Sequence, residues 1–244
     1  MEIIKLNAID STNGFLKKMA YEQPNLSNFL TIWTPIQTAG VGQYGAKWNS
    51  EPNKNLTFST LCLFNRLETK HFFLLNMLVS LAIHKALETL EIPQLSIKWP
   101  NDILSSKYKL GGILIENVIR SGYIEKSIVG IGLNINQTEF NGLPKASSLK
   151  KITGLTYEIE PLMQSILKNL EAHLAKVEQL SFESVYPLYK RHLFRIDQVS
   201  AFRPHLGNDF SGIIRGVLPS GKLVVQNEDD QMLTFSLKEI ELLY

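Results

Sequence analysis

Two lysines, Lys98 and Lys109, an Asn101-Asp102 pair and a Gly111-Gly112 step fall within the nineteen residues from Lys98 to Glu116. Ammonium groups hold anions, a neighbouring carboxylate takes or orients a proton, and adjacent glycines let a ligand approach the backbone. Leu95, Ile97 and Trp99 alternate with Ser96 and Lys98, so a strand buries the first set and turns Lys98 to the other face. Pro100 stops that strand's ladder, and Asn101 and Asp102 stand at its end, where a polar pair holds a ligand or makes a local turn. A second strand starts at Lys109. Its Gly111-Gly112 step signals a bulge or a close approach to the backbone. A hairpin with a solvated lysine at each end accounts for each residue singly, whereas a flat ligand with an anionic end accounts for them together.

Three other stretches carry polar surplus. Asp10-Ser11-Thr12-Asn13 precedes a helix with Phe15, Leu16, Met19 and Ala20 on one face, and one cap would suffice, so Ser11, Thr12 or Asn13 is free to face a ligand. From Gln37, the run Gly40-Val41-Gly42-Gln43-Tyr44-Gly45 satisfies G-x-G-x-x-G. The residues from Trp48 to Asn55 continue as loop, with no helix to receive a pyrophosphate, which excludes a dinucleotide fold and leaves a long flexible loop, of a length typical of functional lids or disordered linkers. Between Ile124 and Asn136, Gly130, Gly132, Asn134 and Asn136 share one strand face, opposite Val129, Ile131, Leu133 and Ile135; a Gly and Asn face reads as a pocket floor.

The elements that position these residues follow from periodicity. Strands are expected over Ile3 to Ile9, Phe29 to Ile36 and Asn55 to Phe64, and a hairpin turn at Ser121-Gly122. An amphipathic helix spans about Lys70 to Leu90, a second carries Leu162 to Val177, and a third runs from Phe182 to Leu193. His71 and His84 on the first are expected at the surface or satisfied in the core. From about Ile196 short strands alternate with turns at Gly207, Gly221 and Asp230, the texture of a small barrel, so residues 1–195 and 196–244 divide as a mixed domain and an appended one.

Length and a 44% hydrophobic content provide for a full core. A net charge of +2 from 25 basic and 23 acidic residues, without a Lys/Arg run, argues against nucleic acid as partner. The single cysteine, Cys62, excludes internal disulfides and fits a reducing cytoplasm. No metal-ligating spacing, membrane-length apolar run or targeting segment is apparent. The sequence leaves monomer and homodimer open.

On these motifs the chain resembles the biotin protein ligases, which adenylate biotin and pass it to a lysine of a carrier domain. The resemblance runs nearly end to end. It rests on Ser11-Thr12-Asn13, Gln37-Thr38-Ala39-Gly40-x-Gly42, Trp48, Lys98-Trp-Pro-Asn-Asp102, Lys109-Leu-Gly-Gly-Ile-Leu-Ile-Glu116, Gly130-Ile-Gly-Leu-Asn134, Gly221-Lys-Leu and Lys238-Glu-Ile. It implies an α+β protein: a mixed sheet with packed helices, of the class II synthetase and biotin/lipoate ligase type, plus a C-terminal SH3-like barrel. The implied biotin contacts are Ser11, Thr12, Asn13 and Gln37 with the backbone of Gly40 and Gly42, in a slot shaped by Gly112, Gly130 and Gly132. For ATP or the adenylate they are Val41, Gln43, Lys47, Lys98, Asn101 and Asn134, with Trp48 stacked on adenine. Lys109 would meet the biotin carboxylate and the α-phosphate, and Asp102 would serve transfer. Mg²⁺ would be held mainly by the ATP phosphates, and the acceptor would be the biotin carboxyl carrier domain of a carboxylase.

The family's glycine loop carries arginines, or Gln at the second, where this chain has Val41, Gln43 and Ala46, so the loop lacks its own cations. Repressor members carry an N-terminal helix-turn-helix domain, for which Ser11 comes too early. Two alternatives stand beside a monofunctional ligase. One is a lipoate or octanoate transferase of the same broad fold, disfavoured by Trp-Pro-Asn-Asp and the C-terminal barrel. The other is a protein that holds biotin or its adenylate with weak transfer, which the arginine-poor loop permits.

Overall fold

The structure, a computed structural model, describes residues 1–23 and 25–244. Strand β1 (Ile3–Lys5) is shorter than expected; Ile9 makes only an isolated bridge to Gln37 before helix α1 (Thr12–Glu22). Ser11 caps α1 by accepting from the Gly14 N–H at 3.2 Å, and Leu16 and Ala20 give it a buried face. After β2 (Thr31–Thr34), the glycine-rich segment is not the open loop its composition suggests. It forms a small hairpin of β3 (Gly40–Val41) and β4 (Lys47–Trp48), because Gly42 N–H donates to Ala46 O at 2.6 Å and Tyr44 and Gly45 take positive φ at the tip.

Strand β5 (Asn55–Glu68) leads into α2 (Phe72–Glu88). This helix is buried nearly all round rather than along one stripe, since later helices cover the face turned away from the sheet. A meander follows: β6 (Leu95–Lys98), β7 (Asp102–Ser105), β8 (Tyr108–Arg120) and β9 (Tyr123–Asn134). The β8–β9 turn is Ser121-Gly122 as expected, both at positive φ. Helices α3 (Leu149–Thr153), α4 (Ile159–Leu174) and α5 (Phe182–Arg191) come next; α3, a single capped turn, has too short a period to be read from sequence.

These strands form a seven-stranded sheet in the order β1-β2-β5-β9-β8-β7-β6, antiparallel except for β1 on β2. Ile97, Ile103, Phe58, Ile131 and Leu133 are buried in the main core with α2 and α4. On the opposite face α1 covers only one end, packing Leu16 and Ala20 with Ile32, Leu61 and Ile128. The rest of that face is left open.

Strands β10 (Val199–Pro204), β11 (Phe210–Val217), β12 (Leu223–Asn227), β13 (Met232–Phe235) and β14 (Ile240–Leu243) make an antiparallel sheet ordered β13-β12-β11-β10-β14, consistent with an SH3-like unit. It is not a closed barrel: among the described residues its edge strands β13 and β14 do not pair. It is tied to the larger sheet by Trp99, whose Nε1 donates to Gly221 O at 2.8 Å, and to α5 by the Tyr186 hydroxyl, which accepts from Val217 N at 3.1 Å. No helix among the described residues is long and apolar enough to cross a membrane.

His84 departs from expectation. It is 5% exposed and its ring lies 3.9 Å from that of His192, while its Nε2 finds no partner among the described residues. Burial, and then the adjacent His192, push its pKa from 6.5 down to about 4. The unfolded chain therefore binds this proton at higher pH than the native one, so stability is lost as pH falls from 6.5 toward 4. Glu88, Lys85 and the Leu95 backbone also face the ring. Unfolding free energies from urea titrations across that window are expected to drop less in His84→Gln than in the parent, by about 1–2 kcal/mol after allowance for solvent screening.

Candidate functional site

The open face of the seven-stranded sheet floors a cleft of about 210 Å³, walled by the start of α1 and by the β3–β4 hairpin. Register decides its floor. Thr57 and Gly112 flank Gly132, while Ser59 and Leu114 flank Gly130, so all six share the open face. The glycines make room for protein side chains. A Cβ on Gly130 would stand 2.9 Å from Cγ of Asn13, and one on Gly132 would stand 2.5 and 2.7 Å from Cε2 and Cζ2 of Trp48. Trp48 thus lies against the floor, its Nε1 buried without a partner among the described residues. A Cβ on Gly112 would be 3.5 Å from Lys109 Nζ. Gly40 is buried against Gln37 and Trp48, below the lining.

At the α1 end, polar groups converge. The Thr12 N–H donates to Gln37 Oε1 at 2.9 Å, and the Thr12 hydroxyl lies 3.2 Å from the same oxygen and 2.8 Å from Ser59 Oγ. Ser59 donates to Asn13 Oδ1 at 2.7 Å, and Asn13 Nδ2 donates to Glu116 at 3.0 Å; Glu116 is also paired with Lys17 at 2.7 Å. Gln37 Nε2 makes no hydrogen bond among the described residues, and Ser11 Oγ, once it has accepted from Gly14, still has a proton to give.

At the other end Lys109 Nζ sits 2.6 Å from Asp102 Oδ1. A bulge makes this contact. Asp102 pairs with Gly112 and Leu104 with Lys109, so β8 carries one residue more than β7 between these pairs. In a regular strand without the bulge Lys109, an odd number of positions from Gly112, would point to the other face. Gly111 lies at the bulge, where an added Cβ would be 2.7 Å from Gly132 O. The Lys109 backbone is pinned from outside: its N–H donates to Lys145 O at 2.7 Å and its carbonyl accepts from Ser147 N at 2.9 Å. Asn101 Nδ2 donates to Ile113 O at 2.6 Å, which holds the residue before Asp102 against β8.

Of the residues singled out from sequence, Ser11, Thr12, Asn13, Gln37, Val41, Gly42, Gln43, Lys47, Trp48, Asn101, Asp102, Lys109, Gly112, Gly130 and Gly132 line this one cleft. Gly40, Lys98 and Asn134 do not. Asn134 is buried and donates to Ser147 O at 3.0 Å. Lys98 Nζ lies 5.1 Å from the centre of the Tyr244 ring, which Lys145 shares at 4.2 Å. Burial lowers the Lys98 pKa, opposed by Asp102 and reinforced by Lys109 and Lys145. Among the described residues no cluster of three His, Cys, Asp or Glu side chains is placed to hold a metal ion. Thr57 and Ser59 escape sequence reading, although they alternate with Leu56 and Phe58 and a period-2 count would have found them. Glu116 closes the Lys109-to-Glu116 motif and shares the alternation of Gly112, but its role is not read from it; Lys17 lacks any such signal. Lys238, whose Nζ is 4.4 Å from the centre of the Tyr44 ring, brings a cation from the C-terminal sheet to the tip of the hairpin.

Comparison with known proteins places this geometry. Residues 6–134 match the biotin/lipoate A/B protein ligase family. A solved biotin protein ligase from Aquifex aeolicus, in complex with biotin and ATP, superposes with a TM-score of 0.78 at 27% identity, covering 99% of this chain and 98% of that one. The bifunctional ligase/repressor BirA of Escherichia coli is 28% identical over 91% of this chain and 68% of its own length. The biotin--[acetyl-CoA-carboxylase] ligase of Mycobacterium tuberculosis is 26% identical over 87% of this chain and 79% of its own. The chain spans 60% to 69% of the length of the bifunctional ligase/repressor proteins it matches. The family model covers more than half of the sequence and the whole cleft floor from α1 to β9, and the chain belongs to the biotin/lipoate A/B protein ligase family.

Proposed function

We propose that this protein is an ATP-dependent biotin protein ligase: it adenylates biotin to biotinyl-5'-AMP and transfers the biotin to a lysine of a carboxylase carrier domain, in the cytoplasm. The observation that carries this reading is the pairing, in one cleft, of a neutral hydrogen-bonding end at Ser11, Thr12 and Gln37 with a cationic end at Lys109. The ureido ring is neutral and alternates N–H donors with a carbonyl acceptor, while the other end of biotin is a carboxylate. A lipoyl or octanoyl tail has no use for the first end, which favours biotin within the family.

Attack of a carboxylate oxygen on the α-phosphorus of ATP expels pyrophosphate and requires two anions to meet. Lys109 is assigned that work, bridging carboxylate and α-phosphate and offsetting charge as the pentavalent phosphorus forms. In the structure its ammonium rests on Asp102; the arriving anions compete for it and release the Asp102 carboxylate. In the second half-reaction the acceptor amine attacks the anhydride carbonyl, AMP leaves, and the surplus proton of the amine passes toward Asp102. The β3–β4 hairpin is assigned the exclusion of water from the anhydride, with Trp48 rising from Gly132 to stack on adenine. Among the described residues Mg²⁺ finds no side-chain cage: Asp102 is the one carboxylate of those residues lining the cleft, and Lys109 engages it. The ion is therefore assigned to the triphosphate, and no step above depends on it. We place the domain boundary at Arg195-Ile196.

The test is ATP–pyrophosphate exchange, expected to depend on added biotin and to be absent with lipoate or octanoate. Exchange is expected to fall by about two to three powers of ten in Lys109→Ala while the melting temperature stays within a few degrees. Normal exchange in the folded variant would remove Lys109 from the chemistry. Single-turnover assays separate the role of Asp102: Asp102→Ala is expected to slow transfer from preformed adenylate by about a hundredfold and adenylation by less than about tenfold. Equal losses in both would make Asp102 structural.

A further inference from the structure

Glu116 does not line the cleft, yet the donors and acceptors that do are ordered by it. A carboxylate only accepts, so the Asn13 atom facing Glu116 at 3.0 Å is Nδ2, and Oδ1 is turned to Ser59. Ser59 therefore gives its single proton to Asn13 and has none for Thr12. In the 2.8 Å contact between the two hydroxyls, Thr12 is then the donor. Gln37 Oε1 is a weaker acceptor for the Thr12 proton, since it lies at 3.2 Å and already accepts from the Thr12 N–H at 2.9 Å. Donating to Ser59, Thr12 shows the cleft a lone pair and no hydrogen. Gln37 is oriented separately, because the Thr12 N–H claims its Oε1 and leaves Nε2 as a donor.

We propose that Glu116, held by Lys17, is a positioning residue that sets the proton direction of the chain Glu116–Asn13–Ser59–Thr12, and so makes Thr12 an obligate acceptor for a ligand N–H. This deepens the biotin reading and rests on it: a ureido N–H meets Thr12, and the ureido carbonyl meets the donors Gln37 Nε2 and Ser11 Oγ. Lys17 makes the device reversible by a single substitution. In Glu116→Gln the ammonium keeps the amide oxygen facing itself, as it now keeps Oε1 at 2.7 Å. The amide nitrogen then points at Asn13, which must turn its oxygen toward it. Ser59 then receives from Asn13 and donates to Thr12, whose own proton is released toward the ligand. A buried chain of hydroxyls and amides has only these two directions, and the charge at its end selects one.

The experiment measures binding of biotin and of its two carbamate analogues, in which one or the other ring N–H is replaced by oxygen, without ATP. The protein as it stands is expected to bind biotin and to reject the analogue with oxygen facing Thr12 by about a hundredfold. Glu116→Gln is expected to narrow that ratio by about tenfold, through weaker biotin and stronger analogue binding. Lys17→Met leaves a pure acceptor at position 116 and is expected to keep the ratio. Ser59→Ala cuts the chain between Asn13 and Thr12 and is expected to narrow the ratio whether or not Glu116→Gln folds. Equal weakening of biotin and analogue in both Glu116→Gln and Ser59→Ala overturns the proposal and reduces Glu116 to a prop for α1. Absence of biotin binding in the unaltered protein overturns the biotin reading itself, and the proposal with it; retained binding with an unchanged ratio overturns the proposal alone.

Discussion

Lys109 and Asp102 face each other because β8 holds one residue more than the stretch of β7 opposite it. A strand alternates its side chains, so parity is the only means by which a ladder decides which groups meet. The bulge changes parity once, between Lys109 and Gly112, and the consequences spread outward. Asp102, Gly112 and Gly132 come into line across three strands, and Leu110, Ile113 and Leu133 are buried in the core beneath. The segment leading into α3, through Lys145 and Ser147, bonds the backbone of Lys109 on its free side and holds the irregular residue in place. A cation is then held at 2.6 Å from a carboxylate that is itself only 17% exposed, a contact that a ligand with two anionic groups is suited to displace.

Around that pair the cleft is assembled by subtraction. Gly130 and Gly132 yield their volume to Asn13 and Trp48, which arrive from α1 and from β4. The floor is therefore completed by side chains delivered from elements outside the seven-stranded sheet, while the sheet supplies the surface beneath them. The two ends differ in kind. At the α1 end, neutral groups are arranged in a chain in which each proton has one place to go, so complementarity there is a matter of direction. At the β7–β8 end it is a matter of charge.

The C-terminal sheet bears on the site through a few contacts. Trp99, in the turn between β6 and β7, is anchored to Gly221, so the Asn101-Asp102 turn is braced from that side. Tyr244 lies under Lys98 and Lys145, and Lys238 sits over Tyr44 at the tip of the β3–β4 hairpin. The hairpin, which has no arginine of its own, thus meets one cation contributed by another element, Lys238.

Much of this was legible along the chain. Period-2 alternation placed the strand containing Gly130 and Gly132 and its two faces, helical periodicity placed α2, α4 and α5, and the Gly111-Gly112 step announced a bulge or close approach; both are present. The local composition of each motif determined these features, because strand parity, capping and glycine's lack of a side chain act over a few residues. Tertiary structure alone decided the rest. Glu116 reaches Asn13 across 103 positions, and Ser59 reaches it across 46, so no local pattern could report that the three form one hydrogen-bonded chain. Asn134 shares the alternation of Gly132, yet the partner it found was the carbonyl of Ser147, beyond the strand's end. The open edges of the C-terminal sheet and the burial of α2 on all sides likewise depend on what packs against them. Sequence determines which face a residue is on; only the folded chain determines what stands opposite that face, because that is set by the meeting of segments far apart along it.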